Sequence, residues 1–580
     1  MTSQQPSSLV HYYSAIRRSF SYSQVLLFYV LLAALIISVV TALELWNKSH
    51  MIAVPTRGGT LSEGIVGTPR FVNPLLALSD ADRDLTTLVY SGLLRVNAEG
   101  ELIPDLALSY TVSEDGLTYT FTLKSEATFQ DGQAVTSEDV RYTVERAQDT
   151  VVKSPKRASW EGVSVETPNA RTVVFHLKQG YASFLENTTL GILPKHLWKP
   201  VTSELFAFSE LNLHAVGSGP YTIIKIRKDG AGTPLSYELT PFDGFVLQAP
   251  RIATLRLSFY QNEDNLTRAY LRREISAVSA LSPTLVKSLP LQNGRIERAP
   301  LPRVFGVFFN QNQNKIFAQE EVRKALDTAI GKQRLVDTVL AGYGTVLTGP
   351  LPAGAIGYAA PLTATPQTDS DKLLQAQALL QQGGWKLNAT SRVMERMDKQ
   401  GVQALRFTLA TVNTPELKEV AELIAGNWKK IGAQVEVKTF ELGDLNQNVI
   451  RPRKYDALLF GEIIGRDPDL FSFWHSSQRN DPGLNIALYT NLQADRLLEQ
   501  IRGEHDPVQR LARMKQFDQT LRTDTPAVFL YSPAFLYVLP TAVRGVNITS
   551  VTVPSERYLH IYQWYIEEEH IWPFFQKYAN

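Results

Sequence analysis

Few residues in this chain could do covalent or metal chemistry, and their spacing suits little of it. Of the nine histidines, the closest pair, His560 and His570, flanks Glu567-Glu568-Glu569. Such a set could ligate a metal, but a solvated helix end is the plainer reading. Gly217-Ser218-Gly219 lacks the G-x-S-x-G spacing that exposes a nucleophilic serine, and reads as a turn before Pro220. Gly342-Tyr343-Gly344, followed by Gly349, lacks the dinucleotide spacing and reads as a loop. Neither a phosphate-cradling P-loop nor an H-E-x-x-H zinc pair occurs. With no cysteine in 580 residues, disulfides, thiolate nucleophiles, Cys-ligated zinc, iron–sulfur clusters and a lipid-modified Cys are all excluded. The expectation is a binding protein without a cofactor, not an enzyme.

The elements that would position a binding site are mixed. Thr118 to Leu123 alternates Thr with Tyr119, Phe121 and Leu123, the period of a strand. Thr136-Ser137-Glu138-Asp139 has the pattern of a helix N-terminus, with Val140, Val144 and Ala147 along one face. Val322, Ala325, Leu326, Ala329 and Ile330 make a second apolar face. Thr414 caps a third helix with Pro415 at its first position, Leu417 to Ile431 as its stripe and Gly432 as its stop. Val435, Val437 and Thr439 alternate in a following strand. The fold class is therefore α/β or α+β with several sheets, and the length predicts two or three lobes. The 58 basic and 57 acidic residues cancel, and no basic run suggests nucleic-acid binding.

Val25 to Leu43 is an uncharged run of 19 residues, about 28 Å as a helix and close to the ~30 Å of a hydrocarbon core. Glu44 ends it, Trp46 stands where an interfacial aromatic would, and Arg17 and Arg18 precede it. The positive-inside bias places residues 1–24 in the cytoplasm, a single transmembrane signal-anchor over 25–45, and the bulk of the chain outside the cell membrane. The alternative is a cleaved secretory signal, with Val40 and Ala42 forming the small-residue site; the apolar run exceeds a usual signal core. Residues 46–60 read as a tether.

Several segments, in order along about 500 residues, resemble the family 5 extracellular solute-binding proteins, which include the dipeptide-, oligopeptide- and nickel-binding proteins of ABC importers. They are Leu88-Val89-Tyr90-Ser91-Gly92-Leu93-Leu94 with Pro104-Asp105-Leu106-Ala107; Asp115-Gly116-Leu117-Thr118-Tyr119-Thr120-Phe121 with Phe129-Gln130-Asp131-Gly132; Gly219-Pro220-Tyr221; Phe309-Asn310 through Gly349-Pro350-Leu351-Pro352; Tyr455-Asp456-Ala457 with Asp467-Pro468-Asp469; and Asn485, Tyr489, Asn491 and Asp495-Arg496-Leu497-Leu498. Asp131-Gly132 is first of all a turn, and Tyr119, Phe121 and the Val322 to Ile330 stripe are first of all core.

The resemblance implies a two-lobed periplasmic-binding-protein-like fold with an extra inserted subdomain. Lobe I would combine residues 61–90, 215–302 and 526–580. The insert would be 91–214 and lobe II 303–525, with crossings near Leu301-Pro302-Arg303 and Asp524-Thr525-Pro526. It implies a monomer that closes on a peptide or another small solute (a nickel chelate, a sugar, an opine) and delivers it to an ABC permease and ATPase complex. A surface protein that uses the fold for signalling, adhesion or peptide holding is the reading from another class. In the family's peptide binders an Asp shortly before the Asp/Glu-Pro element pairs with the ligand's α-amine. Here Ile464 or Gly465 holds that place. An enclosed ammonium needs a counter-charge, and Glu462 is the nearest carboxylate. Arg466 could bind a ligand carboxylate or phosphate, or pair with Asp467 or Asp469. Phe471, Phe473 and Trp474 could line the cleft or pack in the core.

Overall fold

The computed structural model describes residues 21–179, 184–291, 293–352, 368–399, 401–466, 469–504, 506–549 and 551–578. Local sequence sets most of the predicted elements. Strand Thr118–Leu123 alternates half-buried and buried residues. Helix Ser137–Gln148 starts at Thr136, whose backbone N–H and hydroxyl both donate to the Asp139 carboxylate. Helix Pro415–Lys430 starts where the Thr414 hydroxyl accepts from the Leu417 N–H, and buries Leu417, Val420, Ala421, Ile424 and Trp428. Gly432, at φ +86°, turns the chain into strand Gln434–Phe440; a side chain rarely tolerates that backbone.

The chain divides into two compact units, Gly58–Trp564 and a smaller one formed by both ends. In the larger unit, among the described residues, twelve strands join edge to edge. The order is Gln434–Phe440, Arg406–Val412, Ala457–Ile463, Arg303–Phe309, Ala527–Pro540, Ala277–Ser279, Gly58–Val66, Ile252–Tyr260, Pro234–Pro241 and Tyr221–Lys228. Gly294–Pro300 and Gly344–Val346 also pair with Ala527–Pro540. That long strand belongs to both lobes. Its first half pairs with Arg303–Phe309, from Ala527 opposite Phe308 to Tyr531 opposite Phe305. Its second half pairs with Gly294–Pro300, from Ala534 opposite Pro300 to Pro540 opposite Gly294.

The lobes therefore meet where Leu301-Pro302 runs beside Ser532-Pro533. There the Leu301 N–H donates to the Pro533 carbonyl (3.1 Å) and the Ser532 hydroxyl to the Leu301 carbonyl (2.6 Å). Two adjacent connections of this kind form a hinge. The first connection is Leu301-Pro302 itself. The second lies further on than Asp524-Thr525-Pro526, because Thr525 (φ 48°) ends helix Pro507–Asp524 and the chain still pairs inside lobe II, with Arg303–Phe309 as far as Tyr531 and with Gly344–Val346 as far as Pro533. The inserted subdomain carries a four-stranded antiparallel sheet, Ala107–Val112, Thr118–Leu123, Thr172–Leu177 and Val163–Asn169.

Lobe II holds a continuous core in which Val322, Ala325, Leu326, Ala329 and Ile330 are buried against Phe308, Phe317 and Trp428. Lobe I is tied together by a charged knot. Arg557, fully buried, donates to Glu63 (2.8 and 3.1 Å) and with both terminal nitrogens to Asp84 (2.8 and 2.6 Å), while the Tyr537 and Tyr558 hydroxyls donate to the second Glu63 oxygen (2.6 and 2.5 Å).

The smaller unit departs from the sequence reading. Helix Tyr22–His50 has 29 residues, none buried, and is long and apolar enough to cross a membrane. The expected tether over 46–60 is instead the end of this helix, strand Ile52–Thr56 and the start of Gly58–Val66. Ile52–Thr56 pairs antiparallel with Glu567–Ile571, from Ile52 opposite Ile571 to Thr56 opposite Glu567. The last residues thus group with the first, not with lobe I, and Glu567-Glu568-Glu569 lie in a strand, not at a helix end.

Candidate functional site

Helix Asp80–Val89 is set by Ser79 and Asp82, which cap each other reciprocally. Asp82 also accepts the Arg70 and Phe71 N–H groups (2.6 and 2.8 Å), fixing the approach of the chain. The far end of the helix meets Gly217-Ser218-Gly219. The Gly219 N–H donates to the Val89 carbonyl (2.8 Å), and a Cβ on Gly219 would stand 2.6 Å from the Tyr90 nitrogen and the Val89 carbonyl carbon. The glycine pair is thus a close backbone contact rather than only a turn. Gln130 completes it, donating to the Tyr221 and Val89 carbonyls (2.8 and 3.2 Å).

Beside this helix opens a cavity of about 420 Å³. Arg83, Thr86 and Tyr90 form one wall; Lys156, Trp160 and Glu186 of the inserted subdomain form another; Glu556 and Leu559 form a third; and Arg466 reaches it from lobe II. Arg95 and Asp105 form a buried ion pair (2.8 Å) along its lining, and Arg95 also donates to the Leu559 carbonyl (2.6 Å). The volume lies within the ~300–1,000 Å³ range of small-ligand sites.

Arg466 is placed by backbone geometry. The Ile464 N–H donates to the Pro302 carbonyl at the hinge (2.9 Å), and Gly465 follows at φ +79°. The guanidinium then pairs with Glu556 (2.7 Å), whose carboxylate also accepts the Thr552 N–H (2.7 Å). This ion pair joins a lobe II loop to the C-terminal segment of lobe I across the cavity wall. Of the two acids that the sequence offers Arg466, Asp469 stands 3.4 Å from Arg502 instead and Asp467 lies outside the described residues; the partner described is Glu556.

Two cations on the cavity wall escaped the sequence reading. Lys156 follows Ser154, whose hydroxyl donates to the Leu75 carbonyl (2.7 Å) and accepts the Lys156 N–H (3.1 Å). Lys156 lines the cavity and stays exposed to solvent there. Desolvation pulls its pKa below the usual lysine range, and neighbouring Arg83 pulls it the same way. The only carboxylate near Arg83 among the described residues is Asp80, at 3.8 Å. The run Lys153-Ser154-Pro155-Lys156-Arg157 was the available signal.

The other expected site residues are dispersed. Glu462 pairs with Val304 in register and is 5% exposed. Neither of its carboxylate oxygens has a partner among the described residues, and burial pushes its pKa well above the carboxylate range. Trp474 is fully buried against Phe308 and Phe529 in the lobe II core. Phe471 stacks on His475 (centroids 4.0 Å apart), with Arg502 over its ring. Phe473 is partly buried on the same core. Asp467 lies outside the described residues. Of the described members of this set, only Arg466 lines the cavity.

The chain is 26% identical over 497 residues to the oligopeptide-binding protein AppA of Bacillus subtilis, covering 85% of this chain and 89% of that one. It is 24% identical over 493 residues to the probable D,D-dipeptide-binding periplasmic protein DdpA of Escherichia coli, covering 83% and 90%. The solved structure of B. subtilis AppA in complex with a nonapeptide superposes with a TM-score of 0.65 at 25% identity, covering 89% of this chain and all of that one. The sequence model for bacterial extracellular solute-binding proteins, family 5 Middle, matches residues 101–483, and the chain belongs to this family of extracellular solute-binding proteins.

Proposed function

We propose that this chain is the substrate-binding component of an ABC importer, held at the outer face of the cell membrane by helix Tyr22–His50, and that it captures peptides between its lobes. The observation that carries the reading is the cavity: three walls come from lobe I and its insert, and Arg466 closes it from lobe II beside the hinge. A ligand touching both sides stabilises the closed form by the difference in its contacts with the two states. The relatives named for oligopeptide and D,D-dipeptide binding support the peptide class. Capture needs no catalytic group.

In this reading Arg83 and Lys156 receive the ligand's carboxylate, which relieves the repulsion between two like charges on one cavity wall. Arg466 exchanges part of its bond to Glu556 for the ligand. The expected counter-charge for an α-amine is less well served by Glu462, whose burial favours the neutral acid.

The test is mass spectrometry of ligand released from the purified full chain, followed by titration with the recovered peptide as free acid and as C-terminal amide. A peptide should be recovered, and the amide should bind at least ~10-fold more weakly, since a hydrogen bond to a charged group is worth about 1.5–3 kcal/mol. Recovery of a metal chelate or a sugar in its place would overturn the peptide reading.

A further inference from the structure

We propose that Trp572, Phe574 and Phe575 lie with Trp46 in the interfacial layer of the membrane, so that the last residues of the chain form a second attachment beside the first helix. This rests on the reading of helix Tyr22–His50 as a membrane anchor. At 1.5 Å per residue its 29 residues span about 44 Å, well beyond a ~30 Å hydrocarbon core. The apolar run stops at Leu43, so Trp46 stands in the headgroup region.

Strand pairing brings the other end of the sequence to the same level. Ile52, the first strand residue after the helix, is opposite Ile571, so Trp572 emerges next to the end of the helix. The Trp46 and Trp572 rings approach to 5.7 Å between centroids, and His50 stacks on Trp572 at 6.2 Å. The turn Pro573–Tyr578 then presents Phe574 and Phe575, in contact with each other at 4.2 Å and 67% and 51% exposed. Trp46 is itself 56% exposed.

Three exposed aromatics grouped with the half-buried Trp572 at the end of an apolar helix are costly in water and well matched to the interface, where tryptophan is enriched because one side of its ring system is apolar and the N–H is polar. Polarity changes in the same sense along the strand. Glu567, Glu568 and Glu569 lie towards Thr56, away from the helix, and the aromatics follow Ile571. The acids mark the aqueous side and the aromatics the membrane side.

The chain has no cysteine, so a single one can carry a fluorophore without background. Phe574→Cys, Leu35→Cys in mid-helix and Leu205→Cys, which is exposed in the Gly58–Trp564 unit, are each labelled with bimane in the full chain and reconstituted into vesicles of phosphatidylcholine and phosphatidylglycerol. The expected result is strong quenching of the position 574 label by a headgroup nitroxide lipid, at least ~3-fold protection from iodide relative to position 205, and quenching of position 35 by a deep nitroxide. If position 35 is quenched by the deep nitroxide while position 574 behaves like position 205, the second attachment is refuted and the anchor stands. If position 35 is as open to iodide as position 205, the anchor fails and the inference fails with it.

Discussion

Replacing Arg557 with Met should cost this protein about 3–5 kcal/mol of stability at pH 7.5, because it leaves two buried carboxylates facing one another without a cation. Arg557 is fully buried, and Glu63 and Asp84 are no more than 1% exposed. Four of the guanidinium's contacts go to these acids, at 2.6 to 3.1 Å. Burial already raises the Asp84 pKa to about 6, against the lowering effect of Arg557. A raised carboxylate pKa means that the contribution of this group to stability is full below its unfolded value near ~4 and is lost as pH rises through about 6. Without Arg557 both acids must bind protons or remain charged and unpaired. The deficit of Arg557→Met should therefore be largest at pH 8 and shrink towards pH 4.5.

The measurement is urea unfolding of the full chain in detergent, followed by tryptophan fluorescence at several pH values. Adding Asp84→Asn and Glu63→Gln to Arg557→Met should return most of the loss, since the triple variant strands no charge. The same substitution should weaken ligand binding. Arg557 sits between Glu556 and Leu559 of the cavity wall, and Asp84 belongs to the helix that supplies Arg83 and Thr86. A cost below ~1 kcal/mol, or a triple variant no more stable than Arg557→Met, would refute the reasoning.

Glu462→Gln should leave stability almost unchanged near pH 4 and raise it by at least ~1 kcal/mol at pH 8, because each unit of raised pKa is worth about 1.4 kcal/mol against the charged form and the wild-type carboxyl is buried without a partner; an equal effect at both pH values in urea titrations would count against it. Gly219→Ala should lower the urea midpoint by an amount corresponding to about 1–3 kcal/mol, since its Cβ would meet the Val89 and Tyr90 backbone at 2.6 Å, and an unchanged midpoint would show that this contact yields freely.

What the sequence made legible is local. Thr136 and Thr414 start helices, Thr118 to Leu123 alternates, and Gly432 ends a helix because each outcome depends on neighbours within a few residues. The two-lobed architecture was legible through resemblance. The site was largely illegible because its contacts are remote in sequence. Arg557 and Asp84 are 473 positions apart, and Arg466 and Glu556 are 90 apart. No periodicity reports such pairs. The Glu567 to Glu569 run failed for the same reason in a sharper form. Three glutamates have little intrinsic preference for a strand, but pairing with Ile52–Thr56 at the opposite end of the chain overrides local preference. The aromatic residues near Arg466 show the remaining ambiguity. A Trp eight residues from a cleft-edge Gly-Arg pair suits a ligand platform or a core equally well, and only the packing of Trp474 between Phe308 and Phe529 decides. Charge is the more reliable guide here. Arg83 and Lys156 share the cavity wall and act on one another as like charges, and an anion entering between them would lower that repulsion.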